Sequence, residues 1–598
     1  MALRHRLTAP FMALALAWSG SRTVLRMVLA SVLAIGLTAA LVQTLPQDEP
    51  GTTNGYVPVT DARLRAPAPA DWLMYRRTYD GWGYSPLDQI TAHNVADLAP
   101  AWIFATGVRD GTPQAAPIVN GNTMFVTTAE QVIALAADSG TLLWRYARPL
   151  PSDLVRPHPT NRGVALYDDM VYVGTLDAHV VALRATTGEV VWDRAVEDYR
   201  RTYYVTMAPL VVNGRVLVGT SGGEHGIRGS ITALDAMTGD EVWKRHTIPA
   251  PGEPGSDTWQ GDSWRTGGGS VWLTGNYDAA LNVTYWGVGN GGPWTGDARP
   301  GDNLYTNSTI ALDADTGELR GHYQYHWNGS WDWDEASPPL LLQLDRGGRT
   351  LDALVHAGRN GYLWLLERNA AGMRFLDARR FVHQNVFTGI DPQTGRPTYD
   401  EARVPGIGKR ADFCPGTGGA RNWPPEAFSP RTGLLYISAH DNRCSVMEGR
   451  AVRYRPGHAF VGVREEEWYR RAGTSHLDEL QAWNVHTGER IWTREFPFDE
   501  EVGLEPLGAV LATAGDLVFL GGTNFRAFHA LSGTPLWHLR PRHHRATGTP
   551  TTYAVDGVQY VAIPLQGRRG AENGGDLSTA GHDMDDDIVV AFALDCQC

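Results

Sequence analysis

A single pattern of apolar and polar positions recurs along the chain. A small apolar pair leads into a polar turn that ends in Thr-Gly or Ser-Gly, and an apolar run that closes on Trp follows. Each copy predicts two strands joined by a tight turn, because Gly supplies the positive φ at the turn and the apolar alternation resumes after it. The clear copies are ALAADSGTLLW (134–144), ALRATTGEVVW (182–192), ALDAMTGDEVW (233–243), AWNVHTGERIW (482–492) and AFHALSGTPLW (527–537).

Weaker copies extend this repeat. The segment 311–321 carries Gly321 where Trp is expected, and fainter copies span 365–375 and 429–438. The copies recur at about the 40–50 residues of a propeller blade. They predict an all-β fold, an eight-bladed β-propeller over residues 65–598, with strand 588–594 pairing to the N-terminal region to close the ring. One turn glycine is expected in each blade: Gly140, Gly188, Gly239, Gly317, Gly372, Gly433, Gly488 and Gly533.

Composition agrees with many short strands. The 598 residues include 67 Gly and 21 Trp, which suit strands joined by tight turns. An array of β-sandwiches is the alternative, but sandwiches do not repeat one hairpin that ends on one Trp. The formal net charge of −13 argues against a nucleic-acid partner, which requires a basic face.

The N-terminal segment differs from the rest of the chain. Arginines precede or flank two apolar stretches, and the second, 27–42, has the length of a signal-peptide core and is short for a membrane span. Residues 1–45 are therefore predicted to be a signal peptide or an N-terminal membrane anchor, and residues 46–64 a linker. Positive charge before the apolar run favours export, so a periplasmic domain is expected, and membrane anchoring stays an alternative.

The chain contains four cysteines, whose pairing depends on whether the protein is in an oxidising compartment. Cys414 and Cys444 flank one segment and are predicted to form a disulfide in an oxidising environment. Cys596 and Cys598 form a C-x-C pair at the end of the chain, for which no role follows. No C-x-x-C-H motif occurs in the sequence, so a c-type haem is not expected in this chain.

Oxygen-bearing side chains stand in glycine- and tryptophan-rich segments between the predicted strands. Glu224 lies in GTSGGEHGIRG, Asn290 in YWGVGNGGPW, and Asp332 and Asp334 in SWDWDEAS. Carboxylates and an amide oxygen are the ligands that a hard cation prefers. Each acid alone is typical of a solvated loop, and the set together favours a metal site.

These segments, with YRRTYDGWGYSPLDQITAHNVADLAPAW (75–102), resemble the quinoprotein alcohol dehydrogenases, the methanol and ethanol dehydrogenase family that uses pyrroloquinoline quinone. The resemblance covers nearly all of residues 70–595. It implies a metal ion held by Glu224, Asn290 and Asp332. It also implies that Asp332 is the general base, while the metal acts as a Lewis acid on the quinone.

Asp334 bears on the identity of the metal. Calcium-dependent members of the family usually carry a small residue at this position, and an Asp resembles the lanthanide-dependent branch. A trivalent ion gains more than calcium from an additional carboxylate, so a lanthanide is favoured and calcium is the alternative. If the chain is extended here, Asp332 and Asp334 point to the same face.

The resemblance implies further contacts to the quinone. Trp272 is expected to stack beneath its ring, and Arg162 and Arg359 to bind its oxygens. The family often has two adjacent cysteines where Arg156 and Pro157 stand here. The remaining expected cofactor contacts are Gln114, at a position where many members carry Glu, and Thr206, Ser221, Gly222, Gly223, Ser270 and Asn422.

The predicted function is oxidation of a primary alcohol to an aldehyde, with electrons passed to a separate cytochrome c or quinone. Two alternatives remain: a non-catalytic propeller scaffold, and a polyol or sugar quinoprotein dehydrogenase of the same fold. A scaffold needs neither a channel-lining set of Glu, Asn and Asp nor a stacking Trp272. Nothing in the sequence distinguishes a polyol or sugar dehydrogenase from a dehydrogenase of primary alcohols.

Overall fold

The computed structural model describes residues 56–109, 112–346, 348–498, 507–541, 543–567 and 586–594. The predicted leader 1–45, residues 46–55 of the predicted linker, and Cys596 and Cys598 lie outside these ranges. Within them, no helix has the length and hydrophobicity needed to cross a membrane.

Helices are few and short. The α-helix α1 spans Asp61–Arg65 and begins at Thr60, whose side chain accepts a hydrogen bond from the N–H of Arg63. Leu64 is buried and Val59 pairs with Asp168, so the packed domain already includes part of the predicted linker. Single 3₁₀ turns span Val95–Asp97, Tyr199–Arg201, Gly223–His225, Ser256–Thr258, Ser263–Thr266, Gly296–Ala298 and Glu401–Arg403.

The other described elements are strands. The first are β1 Tyr84–Ser85, β2 Leu98–Ala105, β3 Ile118–Asn120, β4 Thr123–Thr127, β5 Gln131–Ala136, β6 Leu142–Ala147, β7 Ala165–Tyr167, β8 Met170–Gly174, β9 His179–Arg184, β10 Val190–Ala195, β11 Leu210–Val212, β12 Arg215–Gly219 and β13 Ser230–Asp235. Next are β14 Glu241–His246, β15 Asn276–Asp278, β16 Val283–Val288, β17 Ser308–Asp313, β18 Leu319–Gln324, β19 Leu340–Arg346, β20 Arg349–Ala357, β21 Tyr362–Asn369, β22 Gly372–Arg380, β23 Phe387–Ile390, β24 Pro397–Tyr399, β25 Arg410–Phe413 and β26 Ala427–Ser429. The last are β27 Leu434–His440, β28 Arg443–Gly449, β29 Val463–Arg470, β30 His476–Asn484, β31 Glu489–Pro497, β32 Leu507–Thr513, β33 Leu517–Gly522, β34 Phe525–His529, β35 Pro535–Leu539, β36 His544–Arg545, β37 Thr551–Val555, β38 Val558–Gly567 and β39 Ile588–Leu594.

Eight of the ten sheets among the described residues contain a run of four antiparallel strands. Sheets 1 to 5 are β3–β6, β7–β10, β11–β14, β15–β18 and β19–β22; sheet 6 is β26-β27-β30-β31, sheet 7 is β32–β35, and sheet 8 is β37-β38-β39-β2. The four strands are consecutive in the chain in every case except sheets 6 and 8. β1 adds in parallel to β32, and β36 pairs with β38. The remaining two sheets, β23-β24 and β25-β28-β29, come from the segment between sheets 5 and 6. This is the all-β architecture of a propeller.

Neighbouring sheets meet through the repeated tryptophans. Trp144 of sheet 1 donates a hydrogen bond from Nε1 to the backbone oxygen of Ala185 in sheet 2, over 2.9 Å. Its indole also covers Gly188, where an added Cβ would lie 2.5 Å from the ring. The same contact joins Trp102 to Gly140, Trp192 to Gly239, Trp243 to Gly317 and Trp492 to Gly533.

Where Gly321 replaces the expected Trp, the neighbouring sheet also carries a glycine. An added Cβ on Gly321 would lie 3.1 Å from the Cα of Gly372 in the next sheet. Sheets 4 and 5 therefore approach through backbone at this point, and two glycines leave the space that an indole fills elsewhere.

All eight predicted turn glycines have positive φ, but the expectation of one per sheet is wrong. Gly433 joins β26 to β27 and Gly488 joins β30 to β31, so both belong to sheet 6. Sheet 8 has no such turn, because β39 and β2 come from opposite ends of the chain and pair from Leu98 with Leu594 to Ala105 with Ile588. The predicted pairing of strand 588–594 with the N-terminal region is confirmed.

The predicted disulfide is also confirmed. Cys414 and Cys444 are bonded, with their Cα atoms 4.4 Å apart. The bond connects the residue after β25 to β28 within the three-stranded sheet.

Replacement of a docking glycine should destabilise the fold through two separable effects. Gly188→Ala places a side chain at φ 74° and against the indole of Trp144. Gly557→Ala is the matched control, because Gly557 has φ 80° and no atom within 4 Å of an added Cβ. Both variants should lose about 1–2 kcal/mol to the left-handed backbone, and Gly188→Ala about 1–3 kcal/mol more to overpacking.

Thermal unfolding followed by circular dichroism checks this difference. A midpoint for Gly188→Ala equal to that of Gly557→Ala would show that the indole contact contributes nothing to stability.

Candidate functional site

A cavity of about 330 Å³ collects most of the predicted site residues. Each of these residues stands in a loop or 3₁₀ turn between strands, and none lies on a strand. The lining includes the predicted residues Gln114, Arg162, Thr206, Ser221, Gly222, Glu224, Ser270, Trp272, Asp332, Asp334, Arg359 and Asn422. Short loops at the ends of several sheets thus supply one concave site, as is usual for ligand sites.

Glu224 projects from the 3₁₀ turn Gly223–His225, between β12 and β13. Gly222 enters this turn with φ 117°, and an added Cβ there would collide with the backbone oxygen of Thr202. Gly223 does not line the cavity, but an added Cβ on it would lie 3.0 Å from Ser270 Oγ. The two glycines therefore let the backbone of this turn pass close to its neighbours.

Asp332 and Asp334 reach the cavity from a turn. Asp332 has φ 62°, and the N–H of Asp334 donates to the backbone oxygen of Asp332 over 3.2 Å. The expectation of an extended chain is therefore wrong at this point. Both side chains nevertheless line the same cavity as Glu224, because the turn directs them there.

Asn290 lies behind this acidic pair. Its backbone N–H donates to Asp334 Oδ1 over 2.7 Å, and its Nδ2 donates to Asp332 Oδ1 over 3.1 Å. Asn290 does not line the cavity itself. Gly289 approaches so closely that an added Cβ would collide with Asp334 Oδ1. The residues after β16 therefore fix the orientation of both aspartates.

Arg359 is the cation nearest to these acids. Its guanidinium lies 3.5 Å from Asp334 Oδ2, and it donates to the backbone oxygen of Asp332 over 3.1 Å and to Asn422 Oδ1 over 3.0 Å. Trp272 Nε1 donates to Asp334 Oδ2 over 3.1 Å. Asp334 thus contacts two of the groups that the sequence assigns to the quinone, Arg359 and Trp272.

A row of hydrogen-bonded polar side chains forms another part of the cavity wall. Arg162 donates from Nη1 to Thr206 Oγ1 over 2.6 Å, and the Thr206 and Ser221 hydroxyls lie 3.0 Å apart. The Arg162 guanidinium lies 4.8 Å from the centre of the Trp272 ring, and that of Arg359 lies 5.6 Å from it. Two guanidinium groups therefore flank one indole, an arrangement suited to an acidic planar ligand.

The acidic residues carry more negative charge than the cavity compensates. Burial and the neighbouring Asp334 raise the pKa of Glu224 to about 7. Burial and Asp334 also raise the pKa of Asp332 well above its ordinary value, although Arg359 opposes this shift. The ionised forms of these carboxylates are destabilised in the cavity. A cation bound between them would stabilise the ionised forms and offset their negative charge.

Several polar atoms in the wall have no hydrogen-bond partner although they are buried. They are Gln114 Oε1, Arg162 Nε and Trp294 Nε1. A buried unpaired donor or acceptor is costly. Together with the size of the cavity, the two donors among them, Arg162 Nε and Trp294 Nε1, fit a polar ring-shaped cofactor such as pyrroloquinoline quinone, whose carboxylates and carbonyls accept hydrogen bonds.

Sequence reasoning missed five lining residues: His158, Thr160, Tyr204, Trp294 and Trp423. Trp294 stands in the segment YWGVGNGGPW beside Asn290, and Trp423 directly follows Asn422, so an aromatic residue near a predicted ligand was the available signal. His158 follows Arg156 and Pro157, at the point where the sequence departs from the family pattern. Nothing in the sequence distinguishes Tyr204 from a core tyrosine.

The sequence also matches known proteins. The family model described as the glucose/ethanol/alcohol dehydrogenase β-propeller domain (PQQ) matches residues 72–373 and 468–561. The chain is 34% identical over 540 residues to the quinoprotein alcohol dehydrogenase PedH of Pseudomonas putida, covering 84% of this chain and 88% of that protein. It is 33% identical over 576 residues to a quinohemoprotein alcohol dehydrogenase of Comamonas testosteroni, covering 90% of this chain and 79% of that protein.

Solved structures give the same result. A europium-containing methanol dehydrogenase superposes with a TM-score of 0.81 at 30% identity, covering 89% of this chain and 100% of that chain. The quinohemoprotein alcohol dehydrogenase ADHIIG from Pseudomonas putida superposes with a TM-score of 0.79 at 33% identity, covering 90% and 82%.

Cation binding in this cavity should depend on pH. Because the pKa of Glu224 is about 7, a proton must leave this carboxyl before it can bind a cation at lower pH. Affinity should therefore rise as the pH is raised through 7. Protein free of cofactor, titrated with Tb³⁺ between about pH 5.5 and pH 8, reports binding through terbium emission sensitised by nearby tryptophans.

Glu224→Gln is the matched control, because it keeps the shape of the side chain and removes its titration. It should weaken Tb³⁺ binding at high pH and flatten the pH dependence around 7. An affinity that is constant across this range in the unmodified protein would contradict the role given to Glu224.

Proposed function

This chain belongs to the pyrroloquinoline-quinone-dependent alcohol dehydrogenases, and we propose that its cavity binds the quinone beside one lanthanide ion and oxidises primary alcohols to aldehydes. The observation that carries the choice of metal is the position of Asp334. It supplies a third carboxylate to the cavity that Glu224 and Asp332 also line. The europium in the methanol dehydrogenase that superposes on this chain supports the same choice.

The proposed metal ligands are Glu224, Asn290, Asp332 and Asp334. Three carboxylates attract a trivalent ion more strongly than a divalent one, because the Coulomb energy scales with the charge of the ion. Carboxylate and amide oxygens are hard donors that suit such an ion. Asn290 becomes a ligand when its side-chain oxygen, rather than Nδ2, faces the acids, and the assignment of these two atoms is interchangeable. Calcium is the alternative ion.

Asp332 accepts the proton of the substrate hydroxyl in this proposal. A cation beside Asp332 lowers its raised pKa and so restores the ionised form that can act as a base. Bound pyrroloquinoline quinone supplies the two-electron acceptor for the hydrogen on the alcohol carbon, and the metal makes it more electrophilic. Arg359, held between Asp332 and Asn422, places positive charge where oxygen gains negative charge.

The other residues orient the cofactor. Trp272 offers a flat surface that is fixed by its hydrogen bond to Asp334. Arg162, Thr206 and Ser221 form the row of polar side chains that suits carboxylate groups on the cofactor edge. The remaining proposed contacts are Gln114, Gly222, Gly223, Ser270 and Asn422.

We also propose that the enzyme works in the periplasm and passes electrons to a separate cytochrome c or quinone. A polyol or sugar substrate is the second candidate, because His158, Trp294 and Trp423 form parts of the wall that the family resemblance does not predict. The non-catalytic scaffold is disfavoured by the buried carboxylates, for which a scaffold has no use.

The proposed blade count is eight, one for each four-stranded sheet, with residues 65–598 forming the propeller. Trp144 and Trp192 each contact the sheet that follows in the chain. Trp537 of sheet 7 donates to the backbone oxygen of Leu98 in sheet 8, and Trp102 of sheet 8 contacts Gly140 of sheet 1. Contacts that return to the first sheet support a closed ring.

Asp332→Asn should abolish turnover. The amide cannot accept the substrate proton, so we expect a fall of about 10³-fold in kcat. The assay is alcohol-dependent reduction of a dye by enzyme reconstituted with the quinone and La³⁺. Asp262→Asn is the control, because its carboxylate is 84% exposed and should leave kcat unchanged. Near-normal turnover by Asp332→Asn with the cofactor bound would refute the assignment.

Asp334→Ala tests the choice of metal. Removal of one carboxylate should reduce La³⁺-supported activity more than Ca²⁺-supported activity, because the attraction lost is larger for the trivalent ion. Activity is measured after reconstitution of each protein with either metal, and Tb³⁺ titration measures affinity independently of turnover. Equal losses with both metals would show that the enzyme is of the calcium type and that Asp334 is only a neighbour of the site.

A further inference from the structure

A second group of metal-ligating side chains lies outside the cavity. We call Asp441, His476 and Glu479 the His476 cluster. Asp441 follows β27, and the other two stand on the neighbouring strand β30, which β27 meets at the pair His440 and Asp478. His476 Nε2 lies 3.0 Å from Glu479 Oε1 and 3.6 Å from Asp441 Oδ2. None of the three residues lines the cavity.

Each carboxylate of the His476 cluster is held by one oxygen and presents the other. Asp441 Oδ1 accepts the backbone N–H of His383 over 2.7 Å. Glu479 Oε2 accepts Gln481 Nε2 over 2.6 Å. The opposite oxygens, Oδ2 and Oε1, converge on His476 Nε2. Carboxylates fixed in this way by outer hydrogen bonds are typical of metal ligands.

The other imidazole nitrogen of His476 is buried and forms no hydrogen bond in the structure. The carboxylate of Glu495 lies 3.4 Å from this Nδ1. A small movement of the exposed Glu495 side chain would let Nδ1–H donate to it. That contact would fix the tautomer in which Nε2 carries the lone pair, as in the carboxylate–histidine–zinc arrangement.

We propose that Asp441, His476 and Glu479 bind one divalent transition-metal ion of the zinc class, with water as a fourth ligand. One nitrogen and two carboxylate oxygens suit Zn²⁺ better than they suit Ca²⁺ or a lanthanide. Ligands of a tetrahedral zinc ion stand about 3.3–3.5 Å apart. The two distances from His476 Nε2 lie within a few tenths of an ångström of this range, and all three ligand atoms lie within 4.8 Å of one another.

The proposed ion would join two parts of the chain that are close only in the folded protein. Asp441 belongs to the connection between β27 and β28, and β28 carries Cys444 of the disulfide. His476 and Glu479 belong to β30 in sheet 6. The ion would therefore fix the connection between β27 and β28 to strand β30 of sheet 6.

The same atoms could instead be held without a metal. His476 Nε2 lies within hydrogen-bonding distance of both Glu479 Oε1, at 3.0 Å, and Asn442 Nδ2, at 3.2 Å. The two arrangements differ in one measurable respect, because only the first retains a metal ion. Full-length protein free of quinone and lanthanide is therefore incubated with Zn²⁺, dialysed against metal-free buffer and analysed by mass spectrometry for metal content.

The expected result is one retained zinc ion per chain, and a higher thermal midpoint with zinc than after chelation. His476→Ala and the conservative Asp441→Asn should each lose the ion and the shift in midpoint. His93→Ala is the matched control, since His93 is exposed and distant in sequence, and it should retain both. Saturating Tb³⁺ should leave the zinc in place, which separates this site from the cavity.

Two results would overturn the proposal: no zinc retained by the unmodified protein, or equal retention by the unmodified protein and both variants. Circular dichroism of Asp441→Asn distinguishes loss of the ion from loss of the fold. Neither measurement depends on turnover, so failure of this proposal and failure of the dehydrogenase assignment are separate outcomes.

Discussion

The contact between a tryptophan of one sheet and a turn glycine of the next is the interaction on which the rest of the structure depends. An indole such as Trp144 sets the distance between two sheets, and its hydrogen bond to Ala185 sets their relative height. The strands of neighbouring sheets therefore end at the same level, and the loops that follow them can meet at one cavity. The strands carry none of the site residues, but they fix where each loop begins and ends.

The cavity places several destabilised charges in one confined space. Glu224 comes from one loop and both aspartates from another, and among the described residues Arg359 is the cation that lies close to the aspartates. A protein can maintain such an arrangement only when the surrounding backbone leaves no alternative. The close approach of Gly289 to Asp334, and the left-handed turn at Asp332, are the local constraints that do so. The packing of these loops thus holds the carboxylates at the positions that the proposed metal site requires.

Much of the fold followed from the sequence because turn chemistry is local. A Thr-Gly or Ser-Gly pair between apolar runs specifies a hairpin wherever it occurs, and all the predicted turn glycines have positive φ. The same locality explains the error at Gly433, since a hairpin signal does not say which two strands of a sheet it joins. Most residues that line the cavity were predicted because they stand in long motifs, although Trp294 in YWGVGNGGPW was missed. His158 and Tyr204 were not predicted, because only the meeting of distant loops brings them to the cavity.

The pairing of β2 with β39 has a consequence for the order of folding. Sheets 1 to 7 are each formed by strands close together in the chain, so they can assemble in sequence as the chain becomes available. Sheet 8 cannot, because its outer strand Leu98–Ala105 must wait for Ile588–Leu594. Until then Trp102 stands on a strand whose partner is not yet present. This pairing joins strands that are far apart in the chain, so we expect it to form late, and the edge of β2 stays open to aggregation or chaperones until it does.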